Sequence, residues 1–359
     1  MAADRPRARD IGIEIGGLPP GGHNAITDVP GVAVGHVTLI DGEGPLRIGH
    51  GPIRTGVTAI LPHGENLFES KVVAAAEVIN GWGKSLGLPQ LTELGELETP
   101  LVLTNTLSVW RAADAVVTYM AVRNPGVYSF NPVVGECNDS FLNDIIGRHV
   151  TEAHVLAAIE TATGGPVAEG NVGAGTGMSG FGWKGGVGTA SRRVRTGGAD
   201  VTLGALVLTN TGAPRDLRIA GAHVGAALRP PRGAPPAAPL GSIMMILATD
   251  AAVSARQLKR VARRAGFGLA RTGAIASQGS GDFVIAFSTA ERERAGGASL
   301  KDRDLTALFR AAIESTEEAI ANSLLGAEPM EGRDGNTRHA LPVEEVAKLV
   351  AECRPHAAR

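Results

Sequence analysis

Residues 278–288 read Gln-Gly-Ser-Gly-Asp-Phe-Val-Ile-Ala-Phe-Ser, a serine between two glycines directly before an apolar run. The run at 283–288 is short, bounded by turn residues and rich in strand formers, so it predicts a buried β-strand. Glycine on each side of Ser280 permits unusual backbone conformations and removes steric shielding. The segment therefore predicts a turn that presents Ser280 at the start of a strand.

The same segment suits self-cleavage. Attack of the Ser280 hydroxyl on the carbonyl carbon of Gly279 would shift the chain to an ester, and water would hydrolyse that ester. The new α-amine of Ser280 would titrate near pH 8 and could act as general base for its own hydroxyl. Taken alone, the segment is explained better by a simple turn that feeds a strand, and self-cleavage is the alternative.

Outward from this segment, strands and helices come in runs along the whole chain. Apolar and β-branched runs predict strands at 32–38, 57–61, 101–104, 201–208 and 243–248. Helical patterns cover 68–79, 109–120, 255–265 and 304–325. Runs of this kind favour an α+β fold over regular βαβ alternation, in a single domain that spans 1–359. The proline-rich residues 230–239 predict a loop or insertion.

The composition is that of a globular protein with little charge. Charged residues make up 19% of the 359 residues and the net charge is −2. This balance gives no electrostatic argument for binding nucleic acid or an anionic membrane. No apolar stretch of about 18 residues is present, and no apolar segment follows the N-terminal arginines, so we expect a cytoplasmic protein that does not enter a membrane.

Motifs for metals and cofactors are missing or incomplete. Cys137 and Cys353 are far apart, and the nine histidines show no ligand spacing, so no metal site is expected. The segment 175–180 matches G-x-G-x-x-G, but the glycines that follow it cannot open the helix that a dinucleotide site requires. We therefore expect no cofactor.

Several polar residues are candidates for a site around Ser280. Asn210 follows a predicted strand, where its side-chain amide could donate to an oxyanion. Ser315 and Glu317 lie at opposite edges of the apolar stripe of the last long helix, and Glu318 is expected to point away from it. Glu136 follows an apolar run and could pair with a substrate ammonium. Taken alone, Asn210 is explained better as a turn residue, and Ser315 and Glu317 as the edges of an amphipathic helix. Glu136 could equally be an acid in a surface loop.

Many separate segments, in order, resemble one known family: the self-processing aminopeptidases of the DmpA and BapA type (L-aminopeptidase/D-esterase and β-peptidyl aminopeptidase). The similar segments are NAITDVPGVAVGH, GPIRTGVTAI, GGPVAEGNVGAGTGM, KGGVGTASR, DLRIAG, ATDA, GSGD with AFST, and STEEAIANSL. The resemblance covers nearly the whole chain. It implies a four-layer αββα sandwich, with two mixed sheets between helix layers, of the N-terminal-nucleophile-hydrolase type.

The resemblance also implies roles for individual residues. Cleavage between Gly279 and Ser280 would give fragments 1–279 and 280–359, with Ser280 as the nucleophile. Asn210 would be the oxyanion donor, and Ser315 and Glu317 would orient the nucleophile. Glu136 would bind the ammonium of a small peptide or amino acid amide, and the processed pairs would form a homotetramer.

Two departures from the family pattern affect these expectations. Asn138 stands where some members carry a tyrosine that lines the site, so the substrate-binding residues differ there. The fragment 280–359 is also shorter than in well-known members. Two other functions remain open: an N-terminal-nucleophile acyltransferase or amidase that acts on a non-peptide amide, and an uncut, non-catalytic oligomer.

Overall fold

A computed structural model describes residues 5–231, 241–290 and 300–353 of the chain. The predicted proline-rich loop at 230–239 therefore lies largely outside the described residues. Among the described residues, no helix is long and apolar enough to cross a membrane.

The described residues form two large sheets, two small two-stranded sheets and several helices. The strands are β1 (Ala33–Asp41), β2 (Ile53–Leu61), β3 (Val72–Gly81), β4 (Glu96–Leu97), β5 (Leu101–Asn105), β6 (Val133–Cys137), β7 (Ser179–Gly180), β8 (Trp183–Lys184), β9 (Gly186–Thr196), β10 (Ala199–Asn210), β11 (Ser242–Thr249), β12 (Gly281–Ser288), β13 (Met330–Glu331) and β14 (Thr337–Arg338). The helices are α1 (Leu88–Glu93), α2 (Val109–Arg123), α3 (Glu152–Glu160), α4 (Val224–Ala227), α5 (Ala255–Arg271), α6 (Thr306–Leu325) and α7 (Val343–Cys353). The two small sheets are β7-β8 and β13-β14.

Both large sheets are mixed. One has six strands in the order β4-β3-β12-β11-β10-β9, and the other has four in the order β1-β2-β5-β6. β11 and β12 run parallel to each other in the first sheet, as β5 and β6 do in the second, and the remaining pairs are antiparallel. Helix α5 connects β11 to β12, as a parallel pair requires.

Three apolar clusters separate four layers. One cluster joins the inner faces of the two sheets, a second packs α5, α6 and α7 on the six-stranded sheet, and a third packs α2 and α3 on the four-stranded sheet. Every residue of β11 and β12 is buried, because these central strands are covered on both faces. The predicted αββα sandwich is confirmed.

Two local expectations were wrong. Residues 68–79, predicted as a helix, mostly belong to strand β3, which pairs with β12 and β4. The alanines that suggested a small helix face instead lie on a strand, with Ala74 and Ala76 packed in the cluster between the sheets. Strand pairing here overrides the local helix propensity of alanine.

Glu318 was expected to face away from the core, but it is fully buried. Its carboxylate pairs with the guanidinium groups of Arg192, at 2.5 Å, and Arg9, at 2.8 Å. The N-terminal segment bonds to the outer side of α6 at Glu314, Glu318 and Asn322, so this part of the helix is enclosed all round and carries no simple amphipathic pattern.

Candidate active site

The ends of three strands meet at one edge of the six-stranded sheet. β10 ends at Asn210, β11 begins at Ser242, and β12 begins at Gly281. Asn210 is paired with Ser242, and Ser242 is paired with Gly281. Because adjacent strands are about 4.8 Å apart, this edge brings the predicted residues Asn210 and Ser280 into one neighbourhood. It also places Ser242 between them.

Ser280 is fully buried and engaged with a carboxylate. Its hydroxyl donates to Oδ1 of Asp282 at 2.7 Å, while Oδ2 of Asp282 is buried and has no hydrogen-bond partner among the described residues. Burial raises the pKa of Asp282 to about 6, and the hydrogen bond from Ser280 opposes that rise. Above that pH the carboxylate is mostly ionised and able to accept a proton.

The Gly279–Ser280 junction is held by Asn80. The side-chain amide of Asn80 donates to the carbonyls of Ser277, at 3.0 Å, and Gln278, at 3.2 Å, and also to the carbonyl of Ser280. These carbonyls flank that of Gly279. Within the described part of the chain, no hydrogen bond to the Gly279 carbonyl itself is found, so this carbonyl lacks a donor that would stabilise an oxyanion.

A second glycine–serine junction, Gly241–Ser242, has such a donor. The carbonyl of Gly241 accepts a hydrogen bond from the backbone N–H of Gly281 at 3.2 Å. A Cβ atom placed on Gly241 would stand 3.3 Å from the hydroxyl oxygen of Ser280. The hydroxyl that is bonded to Asp282 therefore lies directly beside this junction. One compact group is thus formed by Ser242, Ser280, Gly281 and Asp282.

Asn210 faces Ser242. Its amide nitrogen Nδ2 lies 3.4 Å from the hydroxyl of Ser242 and donates to the carbonyl of Asn138 at 3.0 Å. Its oxygen Oδ1 accepts from the backbone N–H of Ser179 at 2.8 Å, which fixes the direction of the amide. A donor fixed at this distance from the serine hydroxyl is placed to contact an oxyanion that forms there.

Glu136 reaches the same region from strand β6 of the other sheet. Its Oε1 accepts from the backbone N–H of Lys84 at 2.9 Å, and its Oε2 accepts from the hydroxyl of Thr106. A Cβ atom on Gly83 would meet both Oε1 of Glu136 and the ring of Phe283. The predicted ammonium binder is therefore a buried, oriented carboxylate close to the start of β12.

Asn138 lines a cavity of about 480 Å³ beside this group. The cavity wall also includes Asn210 and Gly241. Asn138 itself is exposed, and its Oδ1 accepts from the backbone N–H of Ser140 at 3.0 Å. The departure from the family pattern at this position thus falls on the wall of the cavity that Asn210 and Gly241 also line.

Ser315 is not brought to Ser280. Its hydroxyl donates to the carbonyl of Leu203 at 3.4 Å. Leu203 pairs with Thr249, and Thr249 pairs with Ser288. Ser288 lies at the far end of the strand that Ser280 precedes. At about 3.3 Å per residue, Ser280 and Ser288 are about 25 Å apart. Ser315 therefore lies near the opposite end of the sheet.

Glu317, like Ser315, makes its contacts away from Ser280. Its carboxylate pairs with the guanidinium of Arg271, the last residue of α5, at 3.2 Å. Burial raises its pKa, and Arg271 opposes that rise. These contacts connect helices α5 and α6, and they give Glu317 no contact with Ser280.

Ser242 and Asp282 belong to this group but were not among the residues predicted from the sequence. Gly241-Ser242 before strand β11 repeats the pattern of Gly279-Ser280 before strand β12, and this repetition was the available signal. Asp282 stands two residues after Ser280, so the pair is a hydroxyl and a carboxylate in S-x-D spacing. Ser315 and Glu317, which the resemblance implied would orient the nucleophile, have the same two-residue spacing.

Comparisons with known proteins show to which family the chain belongs. The family model described as Peptidase family S58 matches residues 24–338. The β-peptidyl aminopeptidase BapA of Sphingosinicella microcystinivorans is 46% identical, over 99% of this chain and 95% of its own length. The resemblance seen in the sequence is therefore confirmed.

Solved structures show the same fold. A β-aminopeptidase from Burkholderia sp. has a TM-score of 0.88 and 42% identity, covering 98% of this chain and 100% of its own. The L-aminopeptidase D-Ala-esterase/amidase of Ochrobactrum anthropi, a prototype serine aminopeptidase with a variant of the Ntn hydrolase fold, has a TM-score of 0.87 and 39% identity, covering 97% and 99%. The chain thus belongs to peptidase family S58 and is a serine aminopeptidase with an N-terminal-nucleophile hydrolase fold.

Proposed function

We propose that the chain cuts itself between Gly241 and Ser242, and that Ser242 then acts as the N-terminal nucleophile of the aminopeptidase. The observation that carries this proposal is the hydrogen bond from the N–H of Gly281 to the Gly241 carbonyl, beside the Ser280–Asp282 pair. The arrangement supports the proposal because one peptide bond then has a donor for its carbonyl, a carboxylate that can accept a proton, and a serine hydroxyl.

In the uncut chain, the nitrogen of Ser242 is an amide and cannot act as a base. The proton of the Ser242 hydroxyl passes instead to Asp282 by way of the Ser280 hydroxyl, and the Ser242 oxygen attacks the carbonyl carbon of Gly241. The N–H of Gly281 stabilises the resulting oxyanion. When the C–N bond breaks, the nitrogen takes up the proton, and water hydrolyses the ester to release the carboxylate of Gly241.

In the processed enzyme, the free amine of Ser242 accepts the proton of its own hydroxyl. The hydroxyl oxygen attacks the first peptide or amide carbonyl of the substrate, and Asn210 donates to the oxyanion. The departing amine takes the proton, and water then releases the acyl group from Ser242. Glu136 binds the substrate ammonium, which limits cleavage to the N-terminal residue.

The two fragments, 1–241 and 242–359, are expected to stay together. Strands β11 and β12 come from the second fragment but pair with β10 and β3 of the first, in the middle of the same sheet. The homotetramer of such pairs stays a prediction, which light scattering of the processed protein tests.

Short peptides with an N-terminal β-residue are the proposed substrates. Two relatives, 46% and 41% identical, are named β-peptidyl aminopeptidases, which supports this choice, and the oriented carboxylate of Glu136 supports a free ammonium. Release of the N-terminal residue from β-alanyl peptides, followed by chromatography, tests the substrate class. Transfer of the acyl group to added amines, in place of free acid, would favour the acyltransferase alternative.

The second candidate for the nucleophile is Ser280, after a cut at Gly279. N-terminal sequencing and intact mass of the purified fragments separate the two serines, because one predicts fragment 242–359 and the other predicts 280–359. We expect a fragment that begins at Ser242 in the wild type and one intact band in the Ser242→Ala variant. A fragment that begins at Ser280 would overturn our assignment, and an uncut, inactive wild type would favour the non-catalytic oligomer.

A further inference from the structure

Arg338 forms part of the wall of the cavity beside Asn210 and Gly241. It is 3% exposed and lies on strand β14, which pairs with β13. The cavity volume of about 480 Å³ is in the range of small-ligand sites. None of the catalytic steps above uses this arginine.

The guanidinium of Arg338 is held in a fixed orientation. Its Nε donates to the hydroxyl of Ser179 at 2.9 Å, and its Cζ lies 3.6 Å from the centroid of the Phe141 ring. The backbone N–H of Ser179 donates in turn to the side chain of Asn210 at 2.8 Å. Ser179 therefore bonds both to Arg338 and to Asn210, the proposed oxyanion donor.

The charge of Arg338 is not neutralised by the protein. The other two arginines of the cavity wall pair with neighbouring carboxylates: Arg215 with Asp216 at 3.6 Å, and Arg333 with Asp334 at 2.7 Å. Among the described residues, no carboxylate lies within ion-pair distance of Arg338. Burial lowers its pKa to about 10, so the guanidinium is still charged at neutral pH. A buried cation without a partner is costly to the fold, which suggests that a ligand supplies the anion.

We propose that Arg338 binds the free C-terminal carboxylate of a dipeptide substrate, an inference that rests on the proposed function. Successive Cα atoms are 3.8 Å apart, so the carboxylate of a dipeptide lies within one residue of the scissile carbonyl. Arg338 and Asn210 both bond to Ser179, at 2.9 Å and 2.8 Å, so one short substrate can contact both side chains. Nε is bonded to Ser179, and the two terminal nitrogens remain to form a bidentate pair with a carboxylate.

With Glu136 at the ammonium and Arg338 at the carboxylate, the site recognises both ends of a dipeptide. The preferred substrates are thus dipeptides with a free carboxylate, over the corresponding amides, esters or longer peptides. A longer peptide would place its carboxylate beyond the reach of Arg338, which would then face a neutral backbone amide.

The test compares β-alanyl-leucine with β-alanyl-leucine amide on the fully processed enzyme. We expect KM of the wild type to be at least about tenfold lower for the free acid, the effect of one charge-assisted hydrogen-bonded pair. In Arg338→Gln this ratio falls to about one, and in Arg338→Lys it is partly kept. Arg195→Gln, an exposed arginine paired with Asp200, is the control that keeps the wild-type ratio.

Equal KM values for the acid and the amide in the wild type would overturn the proposal, as would an unchanged ratio in Arg338→Gln. The wild-type comparison decides the matter even when the variant fails to fold. Activity on the amide alone shows that the aminopeptidase function holds while the carboxylate site fails. A processed wild type that cleaves neither compound would instead contradict the proposed function.

Discussion

The hydroxyl of Ser280 donates to the carboxylate of Asp282 at 2.7 Å while lying against the backbone of Gly241. This relationship joins a proton acceptor to a peptide bond whose carbonyl already has a donor, the N–H of Gly281. The proposed self-cleavage before Ser242 needs both groups, because the α-amine proposed as the base of the processed enzyme does not yet exist.

The rate of self-cleavage should depend on pH through Asp282. Burial raises the pKa of this carboxyl to about 6, and only its ionised form accepts a proton. The rate constant should therefore be constant above about pH 7 and fall about tenfold per pH unit below 6. Freshly refolded precursor, sampled over time on denaturing gels from pH 4.5 to 8, provides the measurement. A rate that is independent of pH across this range would contradict the role of Asp282.

Asp282→Asn should accumulate uncut precursor. The amide oxygen still accepts a hydrogen bond from Ser280, so the geometry is kept, but the amide cannot take up the proton. Loss of general base catalysis slows such steps by about 10²- to 10⁴-fold. Band intensities over time measure the effect, and Asp200→Asn, at an exposed ion pair, is the control. Processing of Asp282→Asn at the wild-type rate would show that another group takes the proton.

Asn210→Ala should lower kcat with a smaller effect on KM. The amide of Asn210 is fixed by Ser179 and lies 3.4 Å from the Ser242 hydroxyl, so in the proposed mechanism it contacts the substrate carbonyl oxygen, which becomes charged only as Ser242 attacks. Loss of one oxyanion donor costs about 10²- to 10³-fold in kcat. Steady-state kinetics on a β-alanyl anilide give both constants. An increase confined to KM would assign Asn210 to ground-state substrate binding.

Glu136→Gln should raise KM for substrates with a free ammonium by about ten- to hundredfold, the range for a hydrogen bond to a charged group. Glutamine keeps one acceptor oxygen for the N–H of Lys84, its NH2 group can donate to the hydroxyl of Thr106, and the negative charge is removed. The exposed Glu160→Gln, at the end of α3, is the control. Kinetics on a β-alanyl peptide check the value, and an unchanged KM would remove Glu136 from ammonium binding.

Much of the fold could be predicted from the sequence because its central strands are continuous apolar runs. The runs at 201–208, 243–248 and 283–288 all correspond to strands of the six-stranded sheet. Strand β3 was missed because alanine forms helices readily in isolation, and only its partners β12 and β4 make it a strand.

The site was harder to predict because only contacts between neighbouring strands distinguish its residues from similar residues elsewhere. Gly241-Ser242 and Gly279-Ser280 look alike locally, and each precedes a buried strand. What distinguishes them is the donor at the Gly241 carbonyl and the amide of Asn210 opposite Ser242. Both contacts depend on strand register, which local sequence patterns do not specify.

Ser315→Ala and Glu317→Gln should leave kcat and KM within about threefold of the wild type. The hydroxyl of Ser315 bonds to Leu203, near the far end of the sheet, and Glu317 pairs with Arg271 between two helices. Kinetics of both variants, measured beside Asp282→Asn, give a direct comparison. A loss of self-cleavage in Glu317→Gln as large as that in Asp282→Asn would restore the role that the resemblance implied for the helix residues.

Arg192→Leu should strongly destabilise the protein, because the guanidinium of Arg192 is fully buried between Glu314 and Glu318. Its removal leaves carboxylates of α6 without their main partner, and breaking a buried ion pair on one side costs about 3–5 kcal/mol. Urea unfolding in the uncut Ser242→Ala background measures the free energy of unfolding and avoids effects of processing.

The control for this variant lies on the same strand β9. Arg195→Leu removes an arginine of the same type whose pair with Asp200 is exposed, with side-chain exposures of 69% and 66%. Exposed pairs contribute about 0–1 kcal/mol, so this variant should unfold close to the parent midpoint. Equal stability of Arg192→Leu and Arg195→Leu would contradict this prediction. The buried carboxylates of α6 would then be stabilised by the N-terminal segment, including Arg9. Arg192 would not be the group that fixes this helix on the sheet.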